Sequence, residues 1–266
     1  MKIFVLSFSP TGTTRRVAQA VGEEFAAALG SPAPESIPFT RPAERVEHRF
    51  APQDIVVAAF PVYAGRLPNK LLPECKAKLF GSGTPVVPVC TFGNRSCDEA
   101  LREQVLLLEE NGFRPVGAAA FAVQHAFSDR VGTGRPDGED FSQLREFARA
   151  AAQKLAEGAP PLAVEHSPIG PYYTPLKADG TPAKFLKAKP VVNRQLCDGC
   201  GRCAPLCPMG SIDERTLETT GVCIKCQACI RGCPRGARTL TDPDFVSHVA
   251  MLEQHYTRRA PNILWL

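Results

Sequence analysis

Apolar positions in the first part of the chain follow two alternating patterns. Residues 2–8 form a short apolar run, as expected of a strand buried in a parallel sheet. A polar turn at residues 9–14 follows at once. Val17, Ala20, Val21, Phe25 and Ala28 then recur at three- and four-residue steps and predict an amphipathic helix. The alternation continues. Residues 36–39 read as a weak second strand, which Pro38 confines to a sheet edge. Residues 54–60, 85–90 and 116–123 read as three more strands, and 67–79 and 97–110 as helices, the latter closed by Asn111-Gly112. Phe141, Leu144, Phe147, Ala151 and Leu155 mark a last helix, stopped by Gly158 and Pro160-Pro161. Strands alternating with helices predict an α/β fold.

At residue 158 the pattern breaks. From there to 189 the chain reads as a linker rich in proline and lysine, with no room for a long helix. Tyr172-Tyr173 and Phe185-Leu186 are candidates to pin it to a domain surface. Lys177, Lys184, Lys187 and Lys189 make a positive run, either plain solvated surface or a docking patch for an acidic partner. In residues 243–266, Phe245, Val249, Leu252 and Tyr256 share one helical face, expected to pack on the domain that precedes it. Trp265-Leu266 carries no readable signal.

The 266 residues suit two domains, and a net charge of +4 with 44% hydrophobic residues suits an ordinary soluble protein. No signal peptide precedes the first strand and no apolar run approaches membrane-spanning length. No helix-turn-helix or basic DNA-reading helix is present, so nucleic acid is not expected as a partner.

Cysteine chemistry changes this picture most. Cys197, Cys200, Cys203 and Cys207 read C-x2-C-x2-C-x3-C-P, and Cys223, Cys226, Cys229 and Cys233 repeat the spacing, again before a proline. Three thiolates so spaced can cap three corners of a cubane iron–sulfur cluster from one loop. The rival reading is a zinc ribbon on Cys200, Cys203, Cys223 and Cys226. It leaves Cys197, Cys207, Cys229 and Cys233 idle. Nor does it explain why the repeat outruns the cysteines, Leu196 matching Val222, Pro208 matching Pro234 and Gly210 matching Gly236. Residues 190–242 resemble the two-cluster bacterial ferredoxins. The resemblance implies a small α+β domain with two [4Fe–4S] clusters and crossed fourth ligands. Cys197, Cys200 and Cys203 would share a cluster with Cys233, and Cys223, Cys226 and Cys229 with Cys207. Arg202, Lys225 and Arg231 lie inside these motifs. They would raise a cluster's potential if aimed at it and do little if solvated. Of the remaining cysteines, Cys90 reads as core, and Cys97 as buried or reactive.

A second chemistry lies at the strand ends. Ser9-Pro10-Thr11-Gly12-Thr13-Thr14 joins the first strand to the first helix. Helix-start N–H groups and hydroxyls there can converge on one phosphate. No lysine follows the glycine and G-x-G-x-x-G is absent, so neither the triphosphate P-loop nor the dinucleotide fingerprint fits. Pro61-Val62-Tyr63-Ala64-Gly65-Arg66 and Thr91-Phe92-Gly93-Asn94-Arg95 leave the carboxyl ends of the third and fourth strands, where open α/β sheets bind ligands. These loops resemble those of the flavodoxin family, which binds FMN. The whole chain resembles the flavodoxin–ferredoxin fusion proteins of anaerobes, through these loops and Gly134-Arg135-Pro136-Asp137. The resemblance implies a flavodoxin-like doubly wound parallel sheet of order 2-1-3-4-5 over residues 1–157. It implies that Ser9, Thr11, Gly12, Thr13 and Thr14 hold the FMN phosphate. Pro61 to Arg66 and Thr91 to Arg95 would flank the ring, with Tyr63 the stacking candidate and Phe92 either site or core. Arg66 and Arg95 depart from the acidic surroundings usual in flavodoxins. They would suit a reduced flavin or an anionic substrate, or else cover surface carboxylates. His125 ends the fifth strand at the ligand edge, as a structural histidine or a proton donor.

The expected function is electron transfer between two [4Fe–4S] clusters and FMN, with a redox protein as donor or acceptor. The alternative is a flavoenzyme reducing a small molecule such as a quinone, a corrinoid or an unsaturated acid. Clusters need a reducing compartment, so the cytoplasm of an anaerobe is the expected location.

Overall fold

A computed structural model describes residues 1–266. Strands β1 (Ile3–Ser7), β2 (Glu35–Pro38), β3 (Ile55–Pro61), β4 (Thr84–Phe92) and β5 (Ala118–Ala122) alternate with helices α1 (Thr13–Ala28), α2 (Leu72–Lys78), α3 (Ala100–Glu110) and α4 (Gly138–Ala156). The five strands are parallel in the order 2-1-3-4-5, the flavodoxin-like arrangement. Phe113–Pro115 adds a short parallel pairing to the start of β4.

Strand parity sorts the core into two layers. Ile55, Val57 and Ala59 of β3 face the layer built with α1 and α4. Val56, Ala58 and Phe60 face the layer built with α2 and α3. Both faces being covered explains the unbroken apolar runs.

Two helices are shorter than their sequence patterns. The first begins at Leu72, not 67, because the preceding residues turn at Tyr63–Arg66 and again at Pro68–Leu71. The second begins at Ala100, not 97, because Asp98 takes a left-handed backbone at φ 43°. Helix α4 starts cleanly: the Asp137 carboxylate accepts the N–H groups of Glu139 and Asp140.

Residues 158–189 carry no helix or named strand, yet they lie against the sheet domain. Leu162 and Val164 pack on the α2/α3 layer. The Tyr172 hydroxyl donates to the Leu67 carbonyl at 2.9 Å and the Tyr173 N–H to the Ala64 carbonyl at 2.8 Å. Phe185 meets Phe245 edge-on at 5.5 Å, whereas the side chain of its neighbour Leu186 is exposed.

The cysteine-rich segment has β6 (Val191–Val192), α5 (Cys203–Leu206), α6 (Ala228–Arg231) and β7 (Arg238–Thr239), with β6 and β7 antiparallel. Helix α7 (Pro243–His255) follows, then β8 (Ile263–Trp265). Expected on the cysteine-rich domain, α7 docks instead on the loop after β5. Phe245 meets Phe127 edge-on at 4.9 Å, Met251 and Leu252 cover Val131, and Ser128 donates to Glu253. The chain end, mute in sequence, pairs antiparallel with β5, Ile263 opposite Ala120 and Trp265 opposite Ala118. It covers what would be a bare sheet edge. No helix is long and apolar enough to cross a membrane.

Candidate cofactor site

The loop from Ser9 to Thr14 turns sharply and leaves backbone donors free. Gly12 takes φ 89°, a left-handed turn that a side chain disfavours. The Ser9 hydroxyl accepts the Arg15 N–H at 2.9 Å, and the Thr14 hydroxyl bonds to that of Thr91 at 2.7 Å, tying the loop to the end of β4. The N–H groups of Thr11, Thr13 and Thr14 donate to no protein acceptor. They stand at the start of a 16-residue helix, whose dipole adds positive potential. Thr11, Thr13 and Thr14 line one cavity. Ser9 and Gly12 sit behind it and line the neighbouring cleft.

The two ring-flanking loops divide. Pro61, Val62, Tyr63 and Ala64 line the same cavity, as do Thr91, Gly93 and Arg95. Tyr63 and Arg66 close a tight turn with Ala64 at φ 49° and Gly65 at φ 76°, the two left-handed positions of a type I′ turn. A Cβ on Gly65 would lie 2.2 Å from Asp98, so its role is close packing. Arg66 turns away from the cavity. Its guanidinium pairs with buried Glu103, donates to the Gly170 carbonyl at 2.6 Å and lies over the Tyr172 ring. Its charge is therefore spent on a carboxylate, not on a ligand. Phe92 is core. Two residues beyond Cys90, it shares that residue's strand face and the α2/α3 layer. Parity along β4 was the available signal. Asn94 is also structural. Its amide nitrogen donates to the carbonyls of Tyr256 and Arg258 at 2.8 Å each, and its oxygen accepts from Ala260 N–H and Arg135. With both ends saturated, it fastens the chain end to β4.

Arg95 does face the cavity, stacked 3.9 Å from the Tyr173 ring centre and paired with Asp98. His125 packs against Gly93, where a Cβ would come within 2.3 Å of its ring. Burial first, then the charges of His248, Arg95 and Arg231, push its pKa down to about 3. Its Nδ1 accepts the Phe127 N–H, which leaves the proton on Nε2. His125 is thus a neutral hydrogen-bond donor. Cys75, Cys90 and Cys97 are all buried, and Cys90 Sγ donates to Gln104. That settles Cys97 as a packing residue.

The eight motif cysteines form two sets. Cys197, Cys200, Cys203 and Cys233 line one cavity. In the other set the Cys226 thiol is pushed up to about 12 by burial, with Cys229, Cys207 and Cys223 as its thiol neighbours. Each quartet thus takes its fourth member from the other motif. The halves match locally as well: Ser211 N–H points at Cys207 Sγ at 3.4 Å and Ala237 N–H at Cys233 Sγ at 3.3 Å. Among the His, Cys, Asp and Glu side chains, no three converge on a point that a single ion would fill. Of the cations inside the motifs, Arg231 is drawn off to Asp129 and the Ala126 carbonyl, and Lys225 to the carbonyls of Leu186 and Cys223. Arg202 lines the first cysteine cavity.

The two halves meet at the cavity. Ile224, Lys225 and Cys226 form part of the wall that Tyr63 and Thr13 complete. Burial first, and then Cys226 and Cys223, hold the Tyr63 hydroxyl well above its ordinary pKa. Tyr173 and Phe185 of the linker and His248 and Leu252 of α7 close the cavity from above. None belongs to a motif. Only the aromatic pairs in a proline-rich stretch hinted at docking.

Residues 178–218 match the model of the LdpA Fe-S cluster-binding domain, a span that includes the first cysteine motif, Cys197 to Cys207. No curated protein matches the chain. Similar solved structures cover the sheet domain. A flavodoxin from the domain Archaea is 16% identical, covering 59% of this chain and 99% of its own at a TM-score of 0.37. The flavodoxin of Streptococcus pneumoniae TIGR4 is 21% identical, covering 57% and 97% at 0.38. Two-electron reduced Megasphaera elsdenii flavodoxin is 17% identical, covering 57% and 98% at 0.36.

Proposed function

We propose that this chain is an electron-transfer protein that holds two [4Fe–4S] clusters on its eight motif cysteines and FMN in the sheet domain, exchanging electrons with a redox protein. The observation that carries the reading is the shared wall: Cys226 lines the same cavity as Thr13 and Tyr63. When bound, clusters supply one-electron steps, and FMN one- or two-electron steps. Thr11, Thr13 and Thr14 offer unpaired N–H groups to a phosphate. Tyr63 offers an aromatic wall, Arg95 a cation and His125 a neutral N–H. Cys200 is exposed and Cys226 faces the cavity, so one cysteine set fronts solvent and the other the flavin site. Anaerobically purified protein is expected to carry about eight irons, about eight sulfides and about one FMN per chain. Zinc without sulfide, or a chain that takes up no FMN, would overturn the reading.

A second reading, reduction of a small molecule at the flavin, draws on the cavity's cover. Tyr173, Phe185, His248 and Leu252 restrict approach by a large protein, while Arg95 and His125 supply polar groups inside. Reduced protein mixed separately with a quinone and with an oxidised ferredoxin separates the two. Flavin reoxidation by the quinone alone favours the second.

The anion cradle makes its own test. Thr11 and Thr13 hydroxyls bond to nothing in the protein, whereas that of Thr14 is engaged with Thr91. Thr13→Val is expected to cost on the order of 1.5–3 kcal/mol in a hydrogen bond to a charged group, roughly ten- to a hundredfold in FMN affinity. Riboflavin binding, measured by the same fluorescence titration, should change far less. Equal losses for both flavins would place the phosphate elsewhere.

A further inference from the structure

Arg238 is buried beside both cysteine sets and has no carboxylate partner. It is 2% exposed. One terminal nitrogen donates to the Leu217 carbonyl at 2.6 Å and points at Cys203 Sγ at 3.6 Å; the other donates to the Thr219 hydroxyl at 2.7 Å. Its Nε is buried and meets no acceptor at all. A buried cation without a counter-charge is strongly unfavourable, and an orphaned buried N–H costs about 1–3 kcal/mol. The side chain lines the cavity ringed by Cys197, Cys200, Cys203 and Cys233. A cluster there, with four thiolates and its own sulfides, supplies both the missing negative charge and the missing acceptor.

The second observation is an asymmetry in the repeat. Cys233-Pro234-Arg235-Gly236-Ala237-Arg238 matches Cys207-Pro208-Met209-Gly210-Ser211-Ile212, and the paired N–H contacts of Ala237 and Ser211 to their cysteines show that the match is structural. Where one half places a guanidinium, the other places Ile212, 7% exposed within the small apolar core between the sets. The guanidinium nevertheless serves both sets, because it also reaches the Cys229 thiol of the other one.

We propose that Arg238 is a redox-tuning residue that stands between the two clusters as counter-ion and N–H donor, at Cys203 of one and Cys229 of the other, and raises the reduction potential of both. Adding one electron to a cluster adds one negative charge, which a nearby cation and N–H donors stabilise.

This inference rests on the two-cluster reading, and one experiment separates the two. Anaerobic holoprotein is titrated by applied potential and followed by electron paramagnetic resonance, in the wild type, Arg238→Gln and Arg238→Lys. Wild-type protein lacking two clusters would end the functional reading itself. With two clusters present, Arg238→Gln is expected to lower the reduced-to-oxidised ratio of each cluster about tenfold at fixed potential, about 59 mV for one electron. Arg238→Lys keeps the charge but not the fork, and should fall by about threefold. A merely structural brace would weaken cluster retention without moving potentials. Unchanged potentials in Arg238→Gln would overturn the proposal. If Arg238→Gln loses its iron, Arg238→Lys decides: unmoved potentials overturn it.

Discussion

Cys226→Ser is expected to cut the iron content from about eight to about four atoms per chain and to stop electrons from the cysteine-rich half reaching the flavin. Serine keeps the size of the side chain but replaces a soft thiolate with a hydroxyl that binds iron poorly. The position matters because Cys226 is the motif cysteine in the wall of the cavity proposed for the flavin, among its own quartet of Cys207, Cys223 and Cys229. The other quartet has no member in that wall. FMN content should stay near one per chain, since the phosphate loop and the Tyr63 turn belong to the sheet domain. Iron and sulfide assays give the first readout. Stopped-flow flavin absorbance after mixing with a reduced ferredoxin gives the second. Full iron content, or flavin reduction at the wild-type rate, would sink the assignment of the inner cluster.

Arg135→Leu should cost on the order of 3 kcal/mol of stability, because it breaks a buried ion pair and leaves Asp140 only the more exposed Arg259, 3.1 Å away, as a cationic partner. The Arg135 and Asp140 side chains are 4% and 1% exposed and meet through two bonds, Nε to Oδ2 at 3.0 Å and Nη2 to Oδ1 at 2.6 Å. Arg135 also donates to the Ala260 carbonyl and to Asn94, and Asn262 donates to Asp140. One buried knot thus joins the start of α4, the end of β4 and the chain end that covers β5. Burial by itself would raise the Asp140 pKa. The hydrogen bonds from Arg135, Asp137 N–H and Asn262 outweigh it and hold the carboxyl below its ordinary range. A depressed carboxyl pKa stabilises the fold above the unfolded value, about pH 3.9, and that contribution is lost as pH falls through the folded value. Urea unfolding followed by circular dichroism at neutral pH measures the loss. The double variant Arg135→Leu/Asp140→Leu should recover much of it, because no charge is left unpaired. A loss below about 1 kcal/mol in the single variant would show the pair to be replaceable by water.

What the sequence could disclose was local. Cysteine spacing is a property of one loop at a time, so both quartets and their proline ends were legible. The crossed pairing came only from the ferredoxin resemblance. The turn at residues 9–14 was legible because it is one loop and one helix start. The parallel strands were legible because burial on both faces leaves unbroken apolar runs. Side-chain direction was not. Arg66 and Arg95 looked alike in sequence, yet one pairs with Glu103 and the other stacks on Tyr173, choices made by partners 37 and 78 positions away. Asn94 looked like a flavin contact and instead ties down carbonyls more than 160 residues along the chain. Helix α7 displayed an apolar face, but an amphipathic face does not name the surface that covers it. Only the tertiary structure set it on Phe127 and Val131 and so roofed the cavity. The same holds for Arg238. Its charge was plain in the sequence, but burial, the missing carboxylate and the orphaned Nε exist only once Leu217, Thr219 and Cys203 are folded around it. Spacing specifies which atoms a loop can offer; long-range packing decides what those atoms face.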